Sequence, residues 1–280
     1  MRVISAAKVE EAVGSLFLKA NTVIRPDIKR ALKRAYAKET NKLAGELYRI
    51  ILENAAIAKT KRLPICQDTG LPVVFVEAGE DVRIKGGGLE GVIQKAVIRS
   101  YKKYLFRASI VSDPLKRESR SGFGPAIIHL ELKKGKRLKI TVMPKGFGSE
   151  NKTRMKMFNP TVRITEIENF IVECVKNAGS DACPPYIVGV GVGGTAEKAN
   201  LLAKMALLRP VDKNSRKKHI LKMEKKIYSM INHLRIGPMG LGGKTTCLGV
   251  NILTYPTHIA GLPVAVNIGC HATRSAAVTI

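Results

Sequence analysis

The sequence predicts an α/β fold, with a mixed sheet, packed helices and a helical N-terminal portion. Apolar residues recur at helical spacing through the first sixty residues, and short β-branched runs alternate with helical patterns after them. The 280 residues, 45% hydrophobic and 25% charged, are enough to bury a substantial core. We expect one domain over residues 1–280, with a helical portion over 1–60 and an α/β portion over 61–280.

The elements of the first half follow from their apolar spacing. Helices are predicted between Ala6 and about Lys59, with a helix start at Pro26-Asp27. A further helical pattern runs from Leu89 to Leu105. Strands are predicted around this helix at Val73 to Val76, Ala126 to Leu132 and Leu138 to Val142.

The second half repeats the alternation of helices and strands. The predicted helices are Val162 to Asn177, Ala196 to Leu208 and the basic segment Asn214 to Arg235. The predicted strands are Tyr186 to Val190, Cys247 to Leu253 and Val264 to Ile268.

The composition and charge of the chain argue against some classes of protein. No stretch approaches the roughly 18 apolar residues of a membrane span, and Met1 to Glu11 lacks the apolar core of a signal peptide. We therefore expect a cytoplasmic protein without membrane partners. The net charge of +26 is dispersed along amphipathic segments, and no Trp is present for base stacking. A basic nucleic-acid-binding protein is retained only as an alternative.

Five cysteines, an odd number, are typical of a reducing compartment. Cys174 lies in a helical pattern and Cys247 in a strand-like run, so both are interpreted as structural. The other three stand in turns beside proline, glycine or aspartate: Cys66, Cys183 and Cys270.

Only tertiary folding could unite these three thiols, because their separations far exceed the spacing of a zinc finger. Three thiolates suit a soft metal, and three ligands on a four-iron cluster would leave one iron open as a Lewis acid. Three unrelated thiols are the alternative.

The stretch Pro144 to Thr153 is a glycine loop after a strand, where backbone amides could approach a carboxylate closely. A solvated turn is the alternative. Three arginines offer planar, bidentate donors for carboxylates: Arg117, Arg154 and Arg274.

Gly189 to Gly194 matches the pattern G-x-G-x-x-G, which allows a nicotinamide-dependent oxidoreductase as an alternative. A tight strand-to-helix turn with close backbone packing explains the same glycines.

His258 stands twelve positions before Cys270 and could tune a proton transfer, or could simply be a packed histidine. Asp68 could orient an acid or base, or stabilise its own turn.

Six stretches together resemble the iron–sulfur hydro-lyases of the class I fumarase and L-tartrate dehydratase family. They are Cys66 to Gly70, Lys145 to Lys152, Ala182 to Tyr186, Gly189 to Arg209, Gly237 to Thr246 and Tyr255 to Arg274. The resemblance implies that a [4Fe-4S] cluster is held by the matching cysteines, Cys66, Cys183 and Cys270, and that its open iron binds substrate.

The resemblance is to the cluster-binding half of the family, which implies an α subunit. A separate β subunit, in an α2β2 assembly, would then complete the active site and supply the catalytic base. The implied substrate is a small dicarboxylate, fumarate first, with tartrate or mesaconate as alternatives.

The resemblance also places individual residues at the substrate. It implies Gln67 and Asp68 at the substrate itself and His258 nearby, with a further set on the carboxylates: Arg117, Gly146, Gly148 and Ser149. One departure matters, because Glu118 to Gly124 replaces the Asn-Thr-rich stretch usual in the family. Arg120 could therefore take the place of Arg117.

Overall fold

The computed structural model describes residues 1–117 and 121–280. The chain divides into two compact units. Unit 1 consists of Met1–Ile24, Ala55–Phe147 and Arg274–Ile280, and unit 2 consists of Arg25–Asn54 and Gly148–Thr273. The single domain expected over residues 1–280 stays a prediction.

The described residues form eight α-helices, ten strands and one short 3-10 helix, Pro238–Gly240. The helices are α1 Ala6–Thr22, α2 Pro26–Lys38, α3 Lys42–Lys61, α4 Leu89–Lys103, α5 Phe147–Glu150, α6 Ile164–Ala178, α7 Ala196–Ala206 and α8 Lys218–His233. The strands are β1 Arg2–Ser5, β2 Leu71–Gly79, β3 Val82–Lys85, β4 Ile127–Lys133, β5 Leu138–Lys145, β6 Arg154–Phe158, β7 Tyr186–Val192, β8 Cys247–Thr254, β9 Leu262–Gly269 and β10 Ala276–Thr279.

Unit 1 is built on a four-stranded sheet in the order β10-β5-β2-β4. β5 runs antiparallel to both its neighbours, whereas β2 and β4 are parallel. α1 and α4 pack against each other, and their apolar sides join β2 and β5 in one buried core. Phe17 and Tyr101 meet edge to face in this core, with ring centroids 5.5 Å apart.

Unit 2 has a second four-stranded sheet in the order β6-β9-β7-β8. β7 is antiparallel to β9 and parallel to β8, and its register with β9 pairs Ile187 with Gly269 and Val192 with Val264. α6 and α8 cover the face that carries Val188 and Val190, and α7 packs on the opposite face. Because side chains alternate along a strand, β7 and β9 are buried on both sides.

The predicted mixed α/β fold with N-terminal helices is confirmed. Four short strands were not predicted: β1, β3, β6 and β10. Each has four or five residues and pairs with a single neighbour. Their periodicity is weak because an edge strand of this length does not need two apolar faces.

The glycines of β7 let α7 pack directly on the strand backbone. A Cβ at Gly189 would lie 2.2 Å from the carbonyl oxygen of Ala203, and one at Gly191 would lie 2.0 Å from that of Ala199. Close helix-to-strand packing therefore accounts for these two positions of the G-x-G-x-x-G pattern.

We expect Gly191→Ala to destabilise the protein by about 3 kcal/mol, because the new methyl group meets backbone that cannot rotate away. Gly45→Ala in α3 is the matched control. A Cβ there meets only Tyr36 Cε2 at 3.8 Å, and replacing a glycine inside a helix should stabilise by roughly 0.5–1 kcal/mol. Urea unfolding of both variants checks this pair, and an unchanged midpoint for Gly191→Ala would contradict the packing account.

Candidate functional site

Cys66 lies in unit 1, in the turn between α3 and β2. The backbone fixes the start of this turn, because the Ile65 N–H donates to Asn21 O at 2.8 Å and the Leu63 N–H donates to Ala58 O at 3.0 Å. Ile65 is buried, while the Cys66 thiol is partly exposed and donates to Gln67 Oε1 at 3.6 Å. The turn therefore presents a sulfur and an exposed amide side by side.

Asp68 uses both carboxylate oxygens to hold the turn. Its Oδ1 accepts from the Gly70 N–H at 2.9 Å, and its Oδ2 accepts from the Phe147 N–H at 2.8 Å. Gly70 has a φ of 79°, and a Cβ there would stand 2.6 Å from the Pro144 carbonyl carbon. The structure thus gives Asp68 a turn-stabilising role, and a further role in orienting an acid or base stays a prediction.

Arg274 is buried beneath the same turn. Its Nη1 donates to the backbone oxygen of Asp68 at 2.7 Å and to Asn21 Oδ1 at 3.1 Å. A Cβ at Gly146 would meet Asp68 Oδ2 at 3.3 Å and Arg274 Nη2 at 3.4 Å, so Gly146 leaves room for this packing. Arg274, a candidate carboxylate partner from sequence, is 4% exposed and fixes the backbone beside Cys66.

A cavity of about 570 Å³ opens beside Cys66 in unit 1. Its lining residues are Leu63, Pro64, Cys66, Gln67, Thr69, Leu105 and Arg107. The backbone N–H of Arg107 donates to Thr69 Oγ1 at 3.0 Å, and its side chain is exposed. The cavity therefore brings a cation together with the sulfur and the amide.

Sequence reasoning missed Arg107 because no motif or spacing connects it with Cys66. The only local signal is its position just after the predicted helix Leu89 to Leu105. Arg117 is exposed, has a φ of 54°, and is not among the residues that line this cavity. Arg120, its alternative, lies outside the described residues.

Cys183 and Cys270 lie together in unit 2, just before β7 and just after β9. The His271 N–H donates to Cys183 O at 3.2 Å, and His271 Nδ1 contacts the same oxygen at 3.1 Å. Burial raises the pKa of Tyr186 most, and Cys183 and Cys270 lie close enough to raise it further through their charge when ionised. The two thiols thus share one neighbourhood at one end of the sheet.

The turn before Cys183 is braced from behind by the glycine-rich stretch Gly237 to Thr246. A Cβ at Gly240 would lie 2.3 Å from Ser180 Cβ, and the Cys183 N–H donates to Ser180 O at 3.0 Å. The Met239 N–H donates to Pro184 O at 2.8 Å. These contacts give part of this stretch a packing role against the cysteine turn.

The predicted anion-binding loop also touches the Cys183 turn within unit 2. A Cβ at Gly148 would lie 3.4 Å from Asp181 O, and Lys152 Nζ forms an ion pair with Asp181 Oδ2 at 2.6 Å. Ser149 is buried. Glycine at position 148 therefore keeps the loop close to the backbone that leads into Cys183.

The structure places His258 away from Cys183 and Cys270. It is exposed in the loop before β9, where its Nδ1 accepts from the Ala260 N–H at 3.2 Å. With Lys198 and Tyr255 it lines a cavity of about 520 Å³ at the Gly194 end of β7. The twelve positions before Cys270 span the whole of β9, about 25 Å of strand, so proximity in sequence did not give proximity in space.

The remaining cysteines have a different chemical character. Burial raises the pKa of Cys174 to about 11 and that of Cys247 to about 12, which keeps both as thiols. The interpretation of these two as packed side chains agrees with their burial.

Cys183 and Cys270 fit two ligand positions of an iron–sulfur cluster, because they are adjacent, partly exposed and not in a disulfide. Cys66 has the same exposed, loop-borne character in unit 1. Among the described residues, no three His, Cys, Asp or Glu side chains form a group that could hold a metal ion.

Comparison with known proteins defines the class. The family model described as fumarate hydratase (fumerase) matches residues 10–279. The chain therefore belongs to this family, which makes it a hydro-lyase component.

The chain is similar to relatives along nearly its whole length. A Methanocaldococcus jannaschii protein, provisionally named L(+)-tartrate dehydratase subunit alpha, is 38% identical over 96% of each chain. L(+)-tartrate dehydratase subunit alpha of Escherichia coli K12 is 28% identical over 95% of this chain and 89% of its own. The protein so named in Shigella sonnei shows the same identity and coverage.

The described residues contain no helix that is long and apolar enough to cross a membrane.

We expect alkylation of the iron-free folded protein at pH 8 to separate the cysteines. Cys66, Cys183 and Cys270 should react, whereas Cys174 and Cys247 should react only after unfolding, because a pKa of 11 leaves about a thousandth of the thiol ionised. An unburied thiol has a pKa of about 9, so the raised pKa of Cys174 and Cys247 stabilises the folded state fully below pH 9. This contribution to the free energy of unfolding is lost as the pH rises from 9 towards 12. Peptide mass spectrometry reads out the labels, and fast labelling of Cys247 in folded protein would refute the assignment.

Proposed function

We propose that this chain is the α subunit of a [4Fe-4S] hydro-lyase and that Cys66, Cys183 and Cys270 hold the cluster. The observation that carries the proposal is the approach of Cys183 and Cys270 through His271 at one end of the unit 2 sheet. Family membership supports the reaction class, and the contrast with the two buried thiols supports the choice of ligands.

When bound, a cluster with three protein ligands supplies an open iron that acts as a Lewis acid toward a hydroxyl or carboxylate. The chain's own residues would bind and orient the dicarboxylate. Gln67 is exposed beside Cys66 and can hydrogen-bond a carboxylate or hydroxyl, while the Arg107 guanidinium offers paired donors across the same cavity.

The charge of this cavity suits the reaction. Adding water to a fumarate-like dianion makes the carbon next to a carboxylate carbanion-like, which moves negative charge onto that carboxylate. A fixed cation beside the carboxylate stabilises this state more than the ground state. Arg107 can fill that role, and we propose it in place of Arg117.

Asp68 and Arg274 are proposed to act as positioning residues. Arg274 donates to the Asp68 carbonyl, and the Asp68 carboxylate accepts from Gly70 and Phe147, so both fix the backbone that follows Gln67. Gly146, Gly148 and Ser149 would let backbone amides approach the substrate, as the resemblance implies. A role of His258 in proton transfer stays a prediction, and its loop lies at the end of the unit 2 sheet opposite Cys183 and Cys270.

A β subunit is proposed as the partner, because the three relatives reported above are all named as alpha subunits. The catalytic base and further substrate contacts would come from it, in an α2β2 assembly. We propose the cytoplasm as the location, since five free cysteines suit a reducing compartment.

Fumarate is the first proposed substrate and tartrate the second. The family description favours fumarate hydratase, whereas the names of the relatives favour L-tartrate. Anaerobic kinetics of the co-expressed αβ pair with fumarate, L-tartrate and mesaconate would separate them by kcat/KM. Membership in a hydro-lyase family leaves the nicotinamide and nucleic-acid alternatives without comparable support.

We expect Cys66→Ser, Cys183→Ser and Cys270→Ser each to lose the brown colour and most of the iron of the anaerobically prepared αβ pair. Each removes one of three thiolate ligands, and hydratase activity should fall at least a hundredfold with the iron. Cys174→Ser is the control and should keep its iron. Full iron content in any of the three variants would remove that cysteine from the proposed ligand set.

We expect Arg107→Met to raise KM for the dicarboxylate by about 10- to 100-fold, because one charge-assisted hydrogen-bonding partner is lost. Arg117→Met measured beside it decides between the two arginines, and Lys102→Met, an exposed cation on α4, controls for the loss of one surface charge. A larger effect in Arg117→Met than in Arg107→Met would overturn the reassignment.

A further inference from the structure

β4 is an edge strand of the unit 1 sheet, and one of its two faces is apolar. Within the described part of the chain it pairs with β2 alone. Ile127, Leu130 and Leu132 are 45%, 57% and 71% exposed. A seven-residue edge strand with one apolar face is a template for another strand, so proteins normally cover it.

Two of these exposed residues, Leu130 and Leu132, lie on the face of the sheet that carries the core. The register pairs Val74 with Ile128 and Val76 with Leu130, so Ile128, Leu130 and Leu132 lie on the face that carries α1 and α4. These helices bury Val74 and Val76 but leave Leu130 and Leu132 largely exposed. A continuation of the sheet beyond β4 would bury this apolar strip.

We propose that β4 of one copy pairs antiparallel with β4 of a second copy, centred on Leu130, and joins two four-stranded sheets into one of eight strands. This contact is a two-fold symmetric, self-complementary interface. It is independent of the reaction proposed above.

The side chains of β4 select this register. A two-fold axis perpendicular to the sheet puts the apolar faces of both β4 strands on the same side of the joined sheet. In such a pair one residue lies directly opposite its own copy, and this residue can be 129, 130 or 131. Centring on Glu131 opposes two carboxylates, and centring on His129 places Leu132 opposite Ala126, which lies outside β4.

Centring on Leu130 avoids both mismatches. It opposes Leu130 with Leu130 and Ile128 with Leu132, so six apolar side chains meet on one face. On the other face it opposes His129 with Glu131, and Ile127 with Lys133 at the two ends. Only this register pairs Ile128, Leu130 and Leu132 entirely with one another and opposes no like charges.

The positive charge of the chain sets the salt dependence of this interface. Two chains that each carry a net charge of +26 repel each other at low salt. Within the contact, the two Lys133 side chains would lie about 20 Å apart, well beyond the screening length of about 8 Å at physiological salt, so they add little repulsion there. Added salt should therefore strengthen the contact. A contact with an acidic partner would weaken instead.

A cysteine cross-link tests the register. In the co-expressed αβ pair, Leu130→Cys should link to itself under anaerobic oxidation with glutathione disulfide, because directly opposed Cα atoms lie about 4.5–5.5 Å apart, within disulfide range. Leu132→Cys is the matched control, since its two copies would lie about 13 Å apart. Peptide mass spectrometry identifies a link at position 130 and none at position 132. A link at 132, or none at 130, would overturn the proposal.

Sedimentation equilibrium gives a test without cross-linking. We expect Leu130→Lys to raise the dissociation constant of the α–α contact at least 100-fold, in the chain alone and in the αβ pair. Val278→Lys, on β10 at the opposite edge of the same sheet, should change it less than threefold. The wild-type contact should tighten between 50 and 300 mM NaCl. Either of two results would refute the proposal. The chain could stay monomeric, or the β4 edge could be covered only when the β subunit is bound, which would assign the edge to another occupant.

Discussion

The antiparallel register of β7 and β9 is the constraint on which the unit 2 part of the site depends. It pairs Ile187 with Gly269, so the residues just before β7 and just after β9 emerge at one end of the sheet. Cys183 and Cys270 occupy those positions, and His271 ties their backbones together. The same register carries His258 and the Gly193-Gly194 turn to the opposite end, so one pairing decides which predicted residues meet.

The Cys66 turn follows a different principle in unit 1. A buried arginine donates to a backbone carbonyl and an amide oxygen, and a carboxylate accepts from two backbone N–H groups. Charged partners make these hydrogen bonds stronger than neutral ones. Gly70 and Gly146 are needed because a Cβ at either position would crowd this arrangement. These hydrogen bonds fix the backbone next to the residues that carry the sulfur and the amide.

Most elements could be predicted from sequence because they bury one or two apolar faces, as α1, α4 and β7 do. The short edge strands could not, since pairing with one neighbour leaves little periodicity. Within the site, the turn chemistry around Cys66 and Asp68 was readable locally. Arg107 and the distance of His258 from Cys270 were not, because both depend on where strands and helices end in space.

Mössbauer spectroscopy of the αβ pair, prepared with ⁵⁷Fe and without oxygen, tests the central claim most directly. Three thiolate ligands leave one iron of a four-iron cluster different from the other three. The account predicts four iron atoms per α chain and a change in the signal of one of them when the dicarboxylate substrate is added. Protein without iron, or four iron signals that do not respond to the dicarboxylate, would contradict it.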